Sequence, residues 1–199
     1  MKLYFIPFAC SLATRIAVLE AGLDAEFVAV TGNAPIPERV SPMGYVPALE
    51  LESGFALSEG VAVLSYIADL AAEGVLAPPL VSDDRYRMLA WMNFTSTELH
   101  KDVFHPLLSA DYGESDKTAA RARAARPLGV LSAHLDGRAY LLDGFSVADA
   151  YLLSVLNWCE TGGVDLAAWP VLLGWRTALR RRPSVAAAMA TELPLLKAA

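Results

Sequence analysis

The sequence predicts an α/β domain followed by an all-helical domain. The chain opens with a strand–helix–strand pattern, a hairpin and a helix follow, and after residue 82 no segment has the alternation of a strand. Residues 74–79 hold one glycine and two prolines between the two parts, as a linker does. We therefore place the two domains at residues 1–76 and 84–199.

The first domain is predicted to run β-α-β and then β-β-α. Residues 2–6 are rich in apolar and aromatic side chains, which is typical of a buried strand. A strand–helix–strand start implies that the first two strands are parallel, and Ser53-Gly54 between two apolar runs indicates a hairpin turn. The predicted strands are 2–6, 26–30, 47–52 and 55–57, and the predicted helices are 11–22 and one that Ser58 caps.

The second domain has helical periodicity throughout. Ser146 and Asp149 have the spacing of a capping box, in which Asp149 accepts a hydrogen bond from the Ser146 backbone N–H, and we give this pair a structural role. The segment after them is almost wholly apolar and is predicted to be the central helix. The predicted helices are 84–108, 117–135 with an interruption near Pro127, 147–159, 169–181 and 184–191.

Composition limits the class of protein. Of 199 residues, 55% are apolar and 19% charged, enough for a sizeable core, and the net charge of −6 argues against nucleic acid as a partner. Charges interrupt every apolar run before it could span a membrane, and residues 1–13 are too short for a signal peptide. Two cysteines without metal-ligand spacing predict a reducing cytoplasm and no metal.

Cys10 and Pro47 are the residues that point most directly to a function. Cys10 opens the first helix, where the helix dipole and the free N–H groups of the first turn stabilise a thiolate. The Val46-Pro47 step at the start of a strand is a candidate cis peptide bond. Together they suggest a site that holds a small thiol. The alternatives are a buried structural cysteine and an ordinary trans proline.

Several segments, in order along almost the whole chain, carry a resemblance to a known family. They are Cys-Ser-Leu at 10–12, Ser-Pro-x-Gly-x-Val-Pro at 41–47, the helix opened by Ser-Glu-Gly at 58–70, Trp-Met-Asn-Phe at 91–94, Glu-Leu-His-Lys at 98–101, and Phe-Ser-Val-Ala-Asp-Ala-Tyr at 145–151. With these segments the chain resembles the glutathione S-transferase family, most closely its bacterial beta class.

The resemblance implies a glutathione transferase fold, with a thioredoxin-like N-terminal domain and an all-α C-terminal domain, in a cytoplasmic homodimer. It implies an enzyme of detoxification that joins the thiolate of glutathione to electrophilic apolar compounds. Such an enzyme lowers the pKa of the thiol and holds both substrates close together. Glutathione is then a substrate, and no metal is implied.

The resemblance also implies where glutathione lies in the first domain. Cys10 is expected beside the glutathione sulfur, and Ser11 either donates a hydrogen bond to a thiolate or is only a residue of the first helical turn. A cis bond before Pro47 turns the N–H and C=O of Val46 outward, and the cysteinyl backbone of glutathione pairs with this strand edge.

Glu59 and Gly60 open the next helix and are expected to bind the γ-glutamyl end of glutathione. Backbone N–H groups there bind its carboxylate, helped by the helix dipole, and Glu59 accepts from its α-amino group. Many relatives have serine where this chain has Gly60. The alternative for Glu59 is an acidic first-turn residue that only complements the dipole.

Asn93, Thr97, His100 and Lys101 share one face of the predicted long helix. The resemblance implies that this face borders the cleft between the domains and contacts glutathione. His100 either tunes the ionisation of the thiol or hydrogen-bonds the ligand. The alternative for all four is a solvated helix face.

The other aromatic and histidine residues carry weaker signals. Aromatic side chains either line the pocket of an apolar second substrate or belong to the core. The aromatic candidates are Phe8, Phe104, Tyr112 and Trp158. We interpret His105 and His134 as surface or packing residues.

The loop at residues 31–42 departs from the family pattern. It has no Lys or Arg before Arg39, whereas beta-class relatives have a longer loop with a basic residue for the glycyl carboxylate of glutathione. Two other functions therefore stay open. One is a glutathione-dependent thiol–disulfide reductase that uses Cys10 covalently. The other is a non-catalytic binding scaffold of transferase shape.

Overall fold

The structure, a computed structural model, describes residues 1–32 and 34–198, with the side chains of residues 197 and 198 left out. Asn33, which belongs to the predicted loop, and Ala199 lie outside the described residues. Within them, the first domain holds a mixed four-stranded sheet in the order β2-β1-β3-β4. The strands are β1 (Lys2–Phe5), β2 (Glu26–Ala29), β3 (Ala48–Glu50) and β4 (Ala56–Leu57).

The order of elements in this domain confirms the prediction. β1 and β2 are parallel, with Lys2 opposite Glu26, and α1 (Leu12–Ala21) connects them. β3 is antiparallel to β1 and to β4, which forms the predicted hairpin. Gly22 follows α1 with φ 64°, a left-handed conformation that glycine adopts without steric cost.

Two predicted helices differ from the structure in the parts that border the cavity described below. In α2 (Gly60–Leu70) the N-cap position is held by Glu59, at φ 72°, and no side chain caps the helix, so the predicted cap at Ser58 is wrong. The segment predicted as one α-helix over residues 84–108 divides into three. These are α3 (Asp83–Phe94), a π-helix (Thr95–Phe104) and α4 (His105–Leu108).

The remaining helices follow the predicted order, but their ends differ, and the segment predicted as one helix over 147–159 divides into helices at Val147–Leu156 and Cys159–Gly162. The predicted interruption near Pro127 lies at Ala124, because a proline in the first turn of a helix loses no hydrogen bond. The helices are α5 (Glu114–Arg123), α6 (Ala125–Leu135), α7 (Val147–Leu156), α8 (Cys159–Gly162), α9 (Pro170–Leu179) and α10 (Pro183–Ala198), with a 3₁₀ turn at Leu166–Ala168.

The core is continuous from the sheet to the helical domain. All ten residues of α7 are buried, which confirms it as the central helix. It packs against α1 of the first domain and against α3. Because α1 starts next to Cys10 and α7 carries Tyr151, this contact fixes the two sides of the cleft described below. None of the helices described combines the length and the apolar character needed to cross a membrane.

Candidate active site

A cavity of about 890 Å³ opens between the sheet domain and the helices. The loop after β1 forms one wall, the segment before β3 and the start of α2 form a second, and the π-helix and the end of α7 form a third. Most of the predicted site residues line it together. They are Cys10, Val46, Pro47, Glu59, Gly60, His100 and Lys101.

Cys10 is nearly buried, with 8% of its surface exposed, and its Sγ donates to the Val46 carbonyl oxygen at 3.2 Å. Burial raises the pKa of the thiol to about 12, against the opposing effects of the Lys101 charge and of nearby backbone N–H groups. The sulfur is therefore a neutral S–H donor at pH 7. The thiolate expected at this helix start does not form here, because lost hydration outweighs the dipole.

The hydroxyl of Ser11 forms its hydrogen bonds within the loop between β1 and α1. It donates to the Ile6 carbonyl at 3.1 Å and accepts from the Ile6 N–H at 3.2 Å, and the residue is fully buried. The predicted role as donor to a thiolate is therefore not supported. Ser11 instead closes the turn between β1 and α1.

Phe8, in the same loop, is held from two distant parts of the chain. It has φ 57°, an unusual conformation for a residue other than glycine. Its N–H donates to Glu192 Oε2 at 2.8 Å, and its carbonyl accepts from Trp158 Nε1 at 2.7 Å. Glu192 also accepts from Arg15 Nε at 2.9 Å. The helical domain thus fixes the backbone that leads to Cys10.

The Val46-Pro47 peptide bond is cis, which confirms the prediction. The preceding residue is anchored by Ser41, whose hydroxyl accepts from the Tyr45 N–H and donates to the Tyr45 carbonyl, both at 3.0 Å. Among the residues described, no group accepts from the Val46 N–H. Val46 therefore presents an unpaired backbone donor at the cavity wall.

The start of α2 supplies further backbone donors. Glu59 is exposed at φ 72°, and the first turn of α2 holds no acidic residue to occupy its N–H groups. A Cβ placed on Gly60 would lie 3.7 Å from Pro47 Cδ, an ordinary contact distance, so a small side chain fits there. This helix end can bind a carboxylate.

The π-helix decides which side chains reach the cavity. Its N–H groups bond five residues back, as from His105 to the His100 carbonyl, which widens each turn. The residues that line the cavity from this segment are Ser96, His100, Lys101 and His105. Their spacing of four and five residues differs from the three and four of an α-helix.

Asn93 and Thr97 are not brought to the cavity. Both are exposed and absent from its lining, and the Thr97 hydroxyl donates to the Asn93 carbonyl at 3.1 Å. The face assigned from α-helical spacing is therefore wrong for these two residues. The wider π turn carries Ser96 to the position where Thr97 was expected.

His100 and Lys101 have different surroundings. Burial, together with the charges of Lys101 and His105, lowers the pKa of His100 to about 4, so its ring is neutral at pH 7. Its Nδ1 lies 3.0 Å from the hydroxyl oxygen of Tyr151. Lys101 Nζ lies 5.1 Å from the ring centre of Tyr45, a cation–π contact between the helices and the Val46 segment.

Comparison with known proteins identifies this arrangement. Residues 88–183 match the family described as glutathione S-transferase, C-terminal domain. The chain is 35% identical over 199 residues to the glutathione S-transferase GstA of Escherichia coli O157:H7, covering 96% of this chain and 98% of that protein. The chain belongs to the glutathione S-transferase family. It is a transferase enzyme with the fold that the sequence predicted.

Solved structures of such transferases are similar over nearly their whole length. A sphingomonad glutathione S-transferase complexed with glutathione is 41% identical, with a TM-score of 0.90 and coverage of 96% of this chain and 98% of that one. A bacterial beta class transferase of Sphingomonas chungbukensis is 37% identical, with the same TM-score and coverage.

The aromatic and histidine candidates of this transferase differ in whether they line the cavity. Phe8 and Trp158 line the cavity, whereas Phe104 is fully buried and Tyr112 packs against His105 outside the lining. His105 is exposed and packs edge-on against Tyr112, which agrees with its interpretation as a surface or packing residue, and it also lines the cavity. Sequence reasoning missed Ser96 and His105, and only knowledge of the π-helix could have indicated them.

The charges near the cavity are few. Arg39, the basic residue of the loop, forms an ion pair with Glu50 and does not reach the cavity. Of the described residues in the lining, Lys101 alone carries a full positive charge. Across the part of the chain described, no three His, Cys, Asp or Glu side chains cluster as a metal site would require.

Proposed function

We propose that this transferase conjugates glutathione with apolar, electrophilic carbon compounds in the cavity between its domains. One observation carries the proposal: the cavity brings together Cys10, the free N–H of Val46 and the start of α2 on two walls that meet where Cys10 contacts Val46. In the reaction the glutathione sulfur bonds to carbon and its proton passes to solvent. A leaving group departs, or, in an addition, the product takes up a proton.

These two walls fit glutathione as an extended tripeptide. Its cysteinyl backbone pairs with Val46, whose N–H is unpaired and whose carbonyl has a second lone pair besides the one that accepts from Cys10. Its γ-glutamyl carboxylate binds at the start of α2 around Gly60, and the exposed Glu59 accepts from its α-amino group. The predicted contacts of Asn93 and Thr97 with glutathione have no support within one chain.

Cys10 acts in this proposal as a hydrogen-bond donor. When glutathione binds, the neutral Cys10 S–H turns from the Val46 carbonyl to the glutathione sulfur and stabilises the thiolate of the substrate, and the charge of Lys101 adds to this effect. His100, which is neutral, lines the same space. The substrate thiol thus ionises more readily than in water, and the anion is the nucleophile.

The wider assignments rest on the family resemblance. We place glutathione in the domain of residues 1–76 and the apolar substrate against the domain of residues 84–199, where Leu108, Trp158 and Leu196 line the cavity. A cytoplasmic homodimer of the beta class with a role in detoxification is part of the same proposal.

Replacing Cys10 by alanine is expected to lower kcat for conjugation about tenfold, the equivalent of one lost hydrogen bond. Cys10→Ser keeps a donor and is expected to recover most of that loss. The measurement is steady-state conjugation of glutathione with an aromatic halide. Mass measurement after incubation with oxidised glutathione should show little adduct on Cys10 at pH 7, because the thiol is not ionised.

The reductase alternative gives the opposite results. In that mechanism Cys10 forms a mixed disulfide, so Cys10→Ala and Cys10→Ser both lose all activity and wild type gains a glutathione-sized adduct. The placement of Cys10 in the cavity wall is the observation that favours this second candidate. A binding scaffold would be retained on immobilised glutathione and show neither activity.

Gly60→Ser is expected to lower KM for glutathione about threefold to tenfold. The site has room for the side chain, and its hydroxyl adds one donor for the γ-glutamyl carboxylate. Gly60→Ala is the matched control, since it fills the same space without the hydroxyl. If alanine lowers KM as much as serine does, the carboxylate does not bind at this helix start.

A further inference from the structure

Tyr151 borders the cavity from the central helix α7, and its hydroxyl has no role in the steps above. Only 3% of the residue is exposed. The hydroxyl oxygen lies 3.0 Å from Nδ1 of His100, and Cys10 lines the same cavity. The phenol therefore joins α7 to the π-helix beside the proposed sulfur site.

The direction of the bond to His100 follows from the chemistry of the two groups. Burial raises the pKa of Tyr151 above its usual value, so the phenol keeps its proton. Burial lowers the pKa of His100, so the ring is neutral, with one protonated nitrogen and one acceptor. An imidazole nitrogen is a stronger base than a phenol oxygen, and a phenol is a stronger acid than a neutral imidazole. The Tyr151 O–H therefore donates to Nδ1.

We propose that Tyr151 is a positioning residue that fixes the tautomer of His100, so that Nε2 carries the proton and donates to the glutathione sulfur. The hydrogen bond at one ring nitrogen determines which nitrogen is protonated. Nε2 has no hydrogen bond to any residue described, and His100 lines the cavity. The inference rests on the proposed function, because it assigns a role within that site.

This assignment chooses between the two roles that the sequence left open for His100. With Nδ1 occupied by the phenol, the ring has no free lone pair and cannot take the proton of the thiol. His100 is therefore a hydrogen-bond donor to the thiolate. The charged or titratable groups around it are Lys101, His105, Cys10 and Tyr151, and the Trp158 ring packs edge-on at 4.8 Å.

The test reads the tautomer directly. In ¹⁵N-histidine protein at pH 7, two-bond proton–nitrogen correlation spectra should show His100 as the Nε2–H form in wild type. The spectrum of His100→Phe identifies its signals among the three histidines. In Tyr151→Phe the spectrum should change to a mixture of tautomers. An Nδ1–H form in wild type overturns the proposal.

Kinetics give an independent readout. Tyr151→Phe is expected to lower kcat about tenfold with little change in KM for glutathione, and to add nothing to the loss in His100→Phe. Additive losses overturn the proposal, because Tyr151 would then act without His100. Tyr140→Phe is the matched control. It removes a phenol hydroxyl that accepts a 3.2 Å hydrogen bond from Arg182 and that does not line the cavity, so it should change neither kcat nor the spectrum.

The two proposals fail in different ways. A protein with no transferase activity contradicts the proposed function, but the tautomer of His100 can still be measured in the free protein. An active protein whose His100 is in the Nδ1–H form contradicts only the role of Tyr151.

Discussion

Replacing Glu192 by alanine is expected to destabilise the protein by about 4 kcal/mol and to lower the activity of the part that stays folded. The carboxylate is fully buried and accepts from Arg15 Nε at 2.9 Å and from the Phe8 N–H at 2.8 Å. Its loss leaves a buried guanidinium and a buried N–H without partners, which costs about 3–5 kcal/mol for a broken buried ion pair. Activity falls because Phe8 leads directly to Cys10.

The measurement is urea denaturation together with kcat at a temperature where the variant is folded. Glu192→Gln should fall between wild type and alanine, since its oxygen can accept from Phe8 while its NH₂ faces Arg15. Asp84→Ala is the control, because Asp84 forms an exposed pair with Arg87 and should cost about 1 kcal/mol or less. Equal losses for Asp84→Ala and Glu192→Ala would contradict this account.

The parts of the fold that the sequence predicted are those with local causes. The parallel start of the sheet, the hairpin and the central helix follow from periodicity and turn residues within short segments. Each of these features depends on neighbours within a few residues. The cis bond at Pro47 and the position of Cys10 at the cavity are implied by the family resemblance, because residue chemistry alone leaves a trans proline and a buried structural cysteine open.

The features that the sequence did not predict depend on the tertiary fold. Nothing in the residue pattern separates the π-helix from an α-helix, so Thr97 was expected in the cavity and Ser96 was not. The raised pKa of Cys10 comes from burial, which only the packed structure defines. Glu192 meets Phe8 across 184 positions of sequence, and the predicted last helix ended before it.

A second large effect is expected from Asp149→Ala, which should lower the free energy of unfolding by about 3 kcal/mol or more. The carboxylate is fully buried, with Oδ1 accepting from the Leu141 N–H at 2.8 Å. Oδ2 accepts from the N–H and the hydroxyl of Ser146 at 2.9 and 3.0 Å. Loss of the capping box alone costs about 1 kcal/mol or more. The Leu141 contact adds a second buried donor that alanine leaves unsatisfied.

The loss of unfolding free energy caused by Asp149→Ala is expected to be larger at low pH. Burial raises the pKa of Asp149 to about 6, above the unfolded value near 3.9, although the N–H groups of Leu141 and Ser146 oppose the shift. The folded state therefore binds this proton more tightly, and the resulting stability is complete below about pH 4 and is lost as pH rises through 6. Urea denaturation should show a larger cost of Asp149→Ala at pH 5 than at pH 8.

Asp116→Ala is the matched control, because Asp116 makes the same contact with the Gly113 N–H at 3.2 Å on an exposed helix. It should cost about 1 kcal/mol at both pH values, and an equal cost at the two positions would contradict the role of burial.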